Sequence, residues 1–470
     1  MSAKLWAAAG AAVVIAGGVI AYEKEAKPLL RVGAGFAAKT ICSEVLVAGR
    51  SLDDVRTGEL GGVNPILDDA RMTVEDDIAS VTLLGVFTRK AFYDETYGCV
   101  LADRASDVPE RIKPTVAPTP HEWPLARRDD AGAEEDIDYD ALDAALQNAF
   151  FNPLTDGAPT GARAVVVVHR GAIIAERYAD GFTADRPHLS WSMAKTVIAA
   201  LSGIAIGRGD LALDETPPVE KWSSADPRVD ITLADLLHMA SGLDFVEDYA
   251  DPKSDVLQML YSRDDMAGFA GSKSLAHDPG STFYYSSGTT NLIAGVLKTA
   301  GGYTDETFAA FPQDALFAPL GMTSAVFETD ASGTLIGSSY LYASPHDWAR
   351  FGQLLLQDGV WGGAQILPEG WVDYMRTPTT AEDRGGWGYG AQTWMNAGAE
   401  SETGLVFPDL PADFYMASGH DGQVVVVIPS RDMVIVRLGF TPNWGSTGLL
   451  PRLISDVLAA LPAATEQDAD

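Results

Sequence analysis

Ser192-Met-Ala-Lys195-Thr-Val-Ile-Ala-Ala-Leu-Ser-Gly-Ile-Ala-Ile206 decides the fold and directs the search for function. After Lys195 the run carries no charge as far as Gly207, so a helix formed here is apolar on every side and is buried all round. Ser192 and Lys195, three residues apart, meet on its first turn. The free N–H groups and positive dipole end of a helix N-terminus favour a developing oxyanion. Burial disfavours the ammonium form, so Lys195 is expected to have a lowered pKa and to act as the base a serine nucleophile needs. This Ser-x-x-Lys pair occurs once in the chain. By itself it also fits a serine N-cap followed by a lysine reaching for solvent.

Two β-branched hairpins flank this helix. Ala164 to His169 and Ala172 to Tyr178 are split by Arg170-Gly171, and Gln423 to Ile428 and Met433 to Leu438 by Pro429-Ser-Arg-Asp432. Helical patterns run from Leu233 to Met239, Asn291 to Thr299 and His346 to Gln357, and Pro451 to Leu461 forms a closing helix. Strands from both ends of a domain, with helices between, predict an α/β (α+β) fold: one mainly antiparallel sheet packed by helices.

Two further motifs carry candidate chemistry. Pro279-Gly-Ser-Thr-Phe-Tyr-Tyr285-Ser286-Ser287 delivers aromatic and hydroxyl groups just before a helix, and a tyrosine held near Lys195 can pass protons to a leaving group. Core aromatics at a helix start would look the same, and the choice between Tyr284 and Tyr285 stays open on the residues alone. Ser418-Gly-His420-Asp-Gly422-Gln423 precedes a strand, where glycines let backbone approach a ligand. There a backbone N–H can complete an oxyanion hole with that of Ser192. A turn histidine without a catalytic role is the alternative for His420. Gly33-Ala-Gly35-Phe-Ala-Ala38 lacks the strand and acidic partner of a dinucleotide site. The chain has no phosphate loop, no His-Glu-x-x-His and no Gly-x-Ser-x-Gly, so no metal or organic cofactor is expected and an α/β-hydrolase is disfavoured.

The 470 residues divide into an apolar lead (1–22), an N-terminal helical region (23–113), a Pro-rich and then charged linker (114–135), the large domain (136–464) and an acidic tail (465–470). The uncharged run Leu5 to Tyr22 fits an uncleaved signal anchor or a secretory signal, which would tie the chain to a membrane or release it. The net charge of −32 repels nucleic acid, which is excluded as a partner. Cys42 and Cys99 are the only cysteines, and export would pair them in a disulfide.

The three motifs, in this order, resemble the penicillin-recognising serine hydrolases: Ser192 to Lys195, Tyr285-Ser286-Ser287 and His420-Asp421-Gly422. The surrounding residues, Ile231-Thr-Leu-Ala-Asp-Leu-Leu-His-Met-Ala-Ser-Gly242 and Gly419-His-Asp-Gly-Gln423, look like the class C β-lactamase-related branch with its esterases and 6-aminohexanoate-dimer hydrolases. The resemblance implies a β-lactamase/transpeptidase-like fold with a helical subdomain. It implies Ser192 as nucleophile, Lys195 as base and Tyr285 as proton shuttle, with Gln423, His420, Gly422 and Ser287 binding the oxyanion or substrate. The implied partner is a small-molecule ester or amide, and the implied location is the bacterial periplasm, anchored to the inner membrane or secreted. Ser287 stands where β-lactamases carry an Asn, and His420 where they carry a Lys. The resemblance therefore points towards esters and linear amides. A D-alanyl-D-alanine carboxypeptidase or penicillin-binding activity, and a non-catalytic scaffold, are the alternatives.

Overall fold

The computed structural model describes residues 25–116, 136–155, 157–383 and 385–462. The apolar lead, most of the linker and the acidic tail lie outside the described residues. Among the described residues no helix is long and apolar enough to cross a membrane.

The N-terminal region opens with helix α1 (Lys27–Cys42), but it is not helical throughout. Strands β1 (Arg71–Glu75), β2 (Ile78–Leu83), β3 (Phe87–Asp94) and β4 (Gly98–Ala102) form an antiparallel meander. β2 alternates strictly, with Ala79, Val81 and Leu83 buried, which is the period-two signal of a half-buried strand. Its turn from β1 is made by Asp76 and Asp77, both at positive φ (50° and 61°). That left-handed pair suits a two-residue hairpin, although the sequence lacks the usual Gly. The Cys42–Cys99 disulfide joins the end of α1 to β4. Beside it Lys39 and Glu328 form a fully buried ion pair at 2.8 Å, and Glu328 also accepts from Ser43 Oγ and Cys99 N. Glu328 belongs to the large domain, so this network seats the N-terminal region on it.

In the large domain α2 (Tyr139–Phe150) precedes the hairpin β5 (Ala162–His169) and β6 (Ala172–Tyr178). Helices α3 (Met193–Arg208), α4 (Ser287–Ala300) and α5 (Pro345–Leu356) follow. Then come the short strands β7 (Gly388–Tyr389) and β8 (Trp394–Met395), the longer β9 (Tyr415–Gly419), β10 (Gln423–Ile428) and β11 (Met433–Gly439), and helix α6 (Leu449–Ala459). The seven strands form one antiparallel sheet, ordered β7-β8-β9-β10-β11-β5-β6. N- and C-terminal strands therefore close against each other, Met433 opposite His169. Both faces are covered. Val166, Val425 and Val434 pack with α3 and α5, while Val165, Val424 and Ile435 pack with α2 and α6. Double coverage explains why these strands read as continuous valine runs rather than alternating ones. Helix α3 lies inside this core, with every residue from Met193 to Ala205 buried.

Candidate active site

Ser192 stands at the N-cap of α3. Trp191 before it has φ +46°, a left-handed conformation that costs a bulky residue on the order of 1–3 kcal/mol. The ring is gripped between Tyr340 (5.9 Å) and His420 (5.8 Å), so packing holds the strained turn that presents Ser192 at the helix start. No residue pattern around Trp191 marks this turn.

Lys195 is 1% exposed and its ammonium nitrogen meets three oxygens: Ser192 Oγ at 3.0 Å, Ser287 Oγ at 3.1 Å and the Ser338 carbonyl at 3.0 Å. Burial pulls its pKa down to about 8, and the carboxylate of Glu247 works against that pull. The Tyr285 ring lies under it, 4.9 Å from Nζ. Burial pushes the Tyr285 phenol well up, while a hydrogen bond with Ser192 works the other way. Tyr284 is 45% exposed, and its hydroxyl accepts from Glu247 N. Of the two tyrosines, then, it is Tyr285 that the fold brings to Ser192 and Lys195.

Ser287 opens α4 and is fully buried. Its N–H and Oγ both donate to Glu247, at 2.9 and 2.5 Å. It is thus a neighbour of the lysine, not an exposed substrate contact. Glu247 and the Ser338 carbonyl have no counterpart among the residues singled out from sequence. Both come from irregular segments with no periodic pattern, placed by packing against α4; Asn291 of that helix donates to Ser338 Oγ at 3.0 Å.

The glycines of the third motif divide differently from expectation. A Cβ on Gly419 would lie 2.2 Å from the Ser190 carbonyl and 3.2 Å from Ser192 N, so this glycine lets β9 touch the nucleophile's turn. Gly422, at φ +85°, packs against Arg437 and Trp444 instead. Gln423 pairs with Gly419 across the hairpin; its side-chain amide donates to the His420 and Gly439 carbonyls. His420 is 61% exposed and stacks on Tyr249 at 6.0 Å. Ser192, His420 and Gln423 all line one cleft of about 840 Å³, within the range of small-molecule sites.

Residues 148–457 match the family model described as beta-lactamase. The chain belongs to the β-lactamase family. It is 26% identical over 376 residues to the 6-aminohexanoate-dimer hydrolase of Paenarthrobacter ureafaciens, covering 72% of this chain and 88% of that protein. A solved structure from Bacillus anthracis, assigned to the 6-aminohexanoate-dimer hydrolases, superposes with a TM-score of 0.58 at 23% identity, covering 74% of this chain and 91% of that one. A family VIII carboxylesterase superposes at 0.51 and 14% identity, covering 68% and 98%. The chain is a serine hydrolase of the β-lactamase fold, as its motifs implied.

Proposed function

We propose that this hydrolase cleaves a carboxylic ester or linear amide through an acyl-enzyme on Ser192, with Lys195 as general base and Tyr285 as proton shuttle. The observation that carries the proposal is the set of bonds around Lys195. Ser287 Oγ gives its proton to the Glu247 carboxylate, so it offers Lys195 only lone pairs. The Ser338 carbonyl also only accepts. These two partners use both N–H groups of a neutral amine, and its lone pair is left for the Ser192 hydroxyl.

As Oγ adds to the substrate carbonyl, Lys195 takes the hydroxyl proton. The N–H of Ser192, at the positive end of α3, stabilises the oxyanion. The second donor is the backbone N–H of His420, beside the glycine that touches Ser192 N; this replaces Gln423, whose residue faces Gly419 in the ladder. Tyr285, kept protonated by its raised pKa, hands its proton to the leaving oxygen or nitrogen and regains one from Lys195. Water then attacks the acyl-enzyme by the reverse route. The ester and amide hydrolases among the relatives support this choice of substrate. The Cys42–Cys99 bond supports export to an oxidising compartment, the periplasm, as part of the same proposal.

A panel of p-nitrophenyl esters, linear amides and a chromogenic cephalosporin, run beside fluorophosphonate labelling, tests the proposal. Ester or amide turnover and labelling are expected in the wild type and lost in Ser192→Ala. Identical behaviour of the two proteins on every substrate would overturn it.

A further inference from the structure

The cleft beside Ser192 is not built by the catalytic domain alone. One wall is α1, which lies outside the segment matched to the family. Leu29, Gly33 and Phe36 stand at i, i+4 and i+7, on one helix face, and all three line the cleft and are partly exposed to it. That face runs for about 10 Å along the axis. Leu83 at the end of β2, Leu84 of the β2–β3 turn and Leu257 of the catalytic domain extend the apolar lining. Charged groups also reach the cleft, but Arg50 is tied to Glu44 and Glu59, and Arg163 to Glu59 at 2.6 Å. The wall along α1 therefore offers surface that gains by excluding water and no charge for a polar chain.

We infer that the cleft takes an extended alkyl chain attached to the scissile carboxyl group, laid along the Leu29–Gly33–Phe36 face of α1. This rests on Ser192 acting as proposed above. The substrate class is then an ester or amide with a medium-length aliphatic chain on its acyl or its alcohol side, and the N-terminal region is the element that selects it. Gly33 gives the means of testing this. A Cβ there would meet only Leu83 Cδ1, at an ordinary 3.6 Å, and the residue is regular helix, so a larger side chain enters the cleft without backbone strain. Replacing a mid-helix glycine also favours the helix.

The test measures kcat/KM for p-nitrophenyl acetate, butyrate and octanoate and for butyl and octyl acetate, below their micelle concentrations. Each fully buried methylene is worth roughly three- to fourfold. Wild-type kcat/KM is expected to rise at least about tenfold from butyrate to octanoate, or from butyl acetate to octyl acetate if the chain lies on the alcohol side. In Gly33→Phe, with its fold checked by circular dichroism, the ratio of long-chain to acetate kcat/KM is expected to fall by a similar factor, and in Gly33→Ala to change little. A flat chain-length profile with Ser192-dependent acetate turnover overturns the inference and leaves the proposed function standing. A long-chain preference untouched by Gly33→Phe overturns the placement on α1. Absence of any Ser192-dependent turnover overturns both.

Discussion

Replacing Glu247 by Gln is expected to move the acid limb of the pH–rate profile down by about one to two units. The carboxylate reaches Lys195 through a single bridging hydroxyl, with Ser287 Oγ at 3.1 Å from Nζ and at 2.5 Å from Glu247 Oε1. At a separation of roughly 5 Å and an effective dielectric near 20, the two charges attract by roughly 3 kcal/mol, or about two pKa units; water in the open cleft reduces this. The sign follows from which form the carboxylate favours. A nearby anion stabilises the ammonium and raises the lysine pKa, against the burial that lowers it to about 8. Catalysis by the free amine therefore rises with pH through about 8 in the wild type. Without the anion, burial acts unopposed, and the limb falls to roughly pH 6–7. Glutamine keeps one acceptor oxygen for Ser287 but loses the other, so the plateau is expected to drop as well. The informative readout is the position of the limb in kcat/KM for p-nitrophenyl acetate, with Ser192→Ala as the blank. A limb that stays in place while the plateau falls would mean Glu247 only shapes the site and does not tune the base.

Two further perturbations test the frame of the site. The Cys42–Cys99 bond closes a loop with a sequence separation of 57, for which chain entropy alone gives about 4 kcal/mol; the Cys42→Ala/Cys99→Ala protein is expected to unfold at clearly lower urea than the oxidised wild type, and an unchanged midpoint would contradict this. Gly419→Ala puts a Cβ 2.2 Å from the Ser190 carbonyl, pushing β9 off the nucleophile's turn; kcat is expected to fall by about 10²–10³ with a smaller change in KM, and activity within twofold of wild type would show that the contact is not needed.

The catalytic fold was legible because packing and chemistry leave the same trace there. A helix must be apolar on every face to lie inside a core, and α3 is; once that is seen, Ser192 and Lys195 are already on one turn of it. The two hairpins announced themselves in the same way, one by the left-handed Arg170-Gly171 pair and both by their valine runs. The N-terminal meander escaped because its first turn uses Asp76-Asp77, where a glycine would have marked the hairpin. Glu247 escaped for a different reason: its place beside Ser287 is set by loop packing, and no local period encodes it. The glycine motif shows where sequence runs out most clearly. Gly422 needs glycine for its own backbone, at φ +85°, whereas Gly419 is extended at φ −128° and has no such need. Gly419 is glycine for its neighbour's sake, because any side chain there would collide with the turn that holds Ser192. The letters are identical, and only the tertiary contact tells which one belongs to the site.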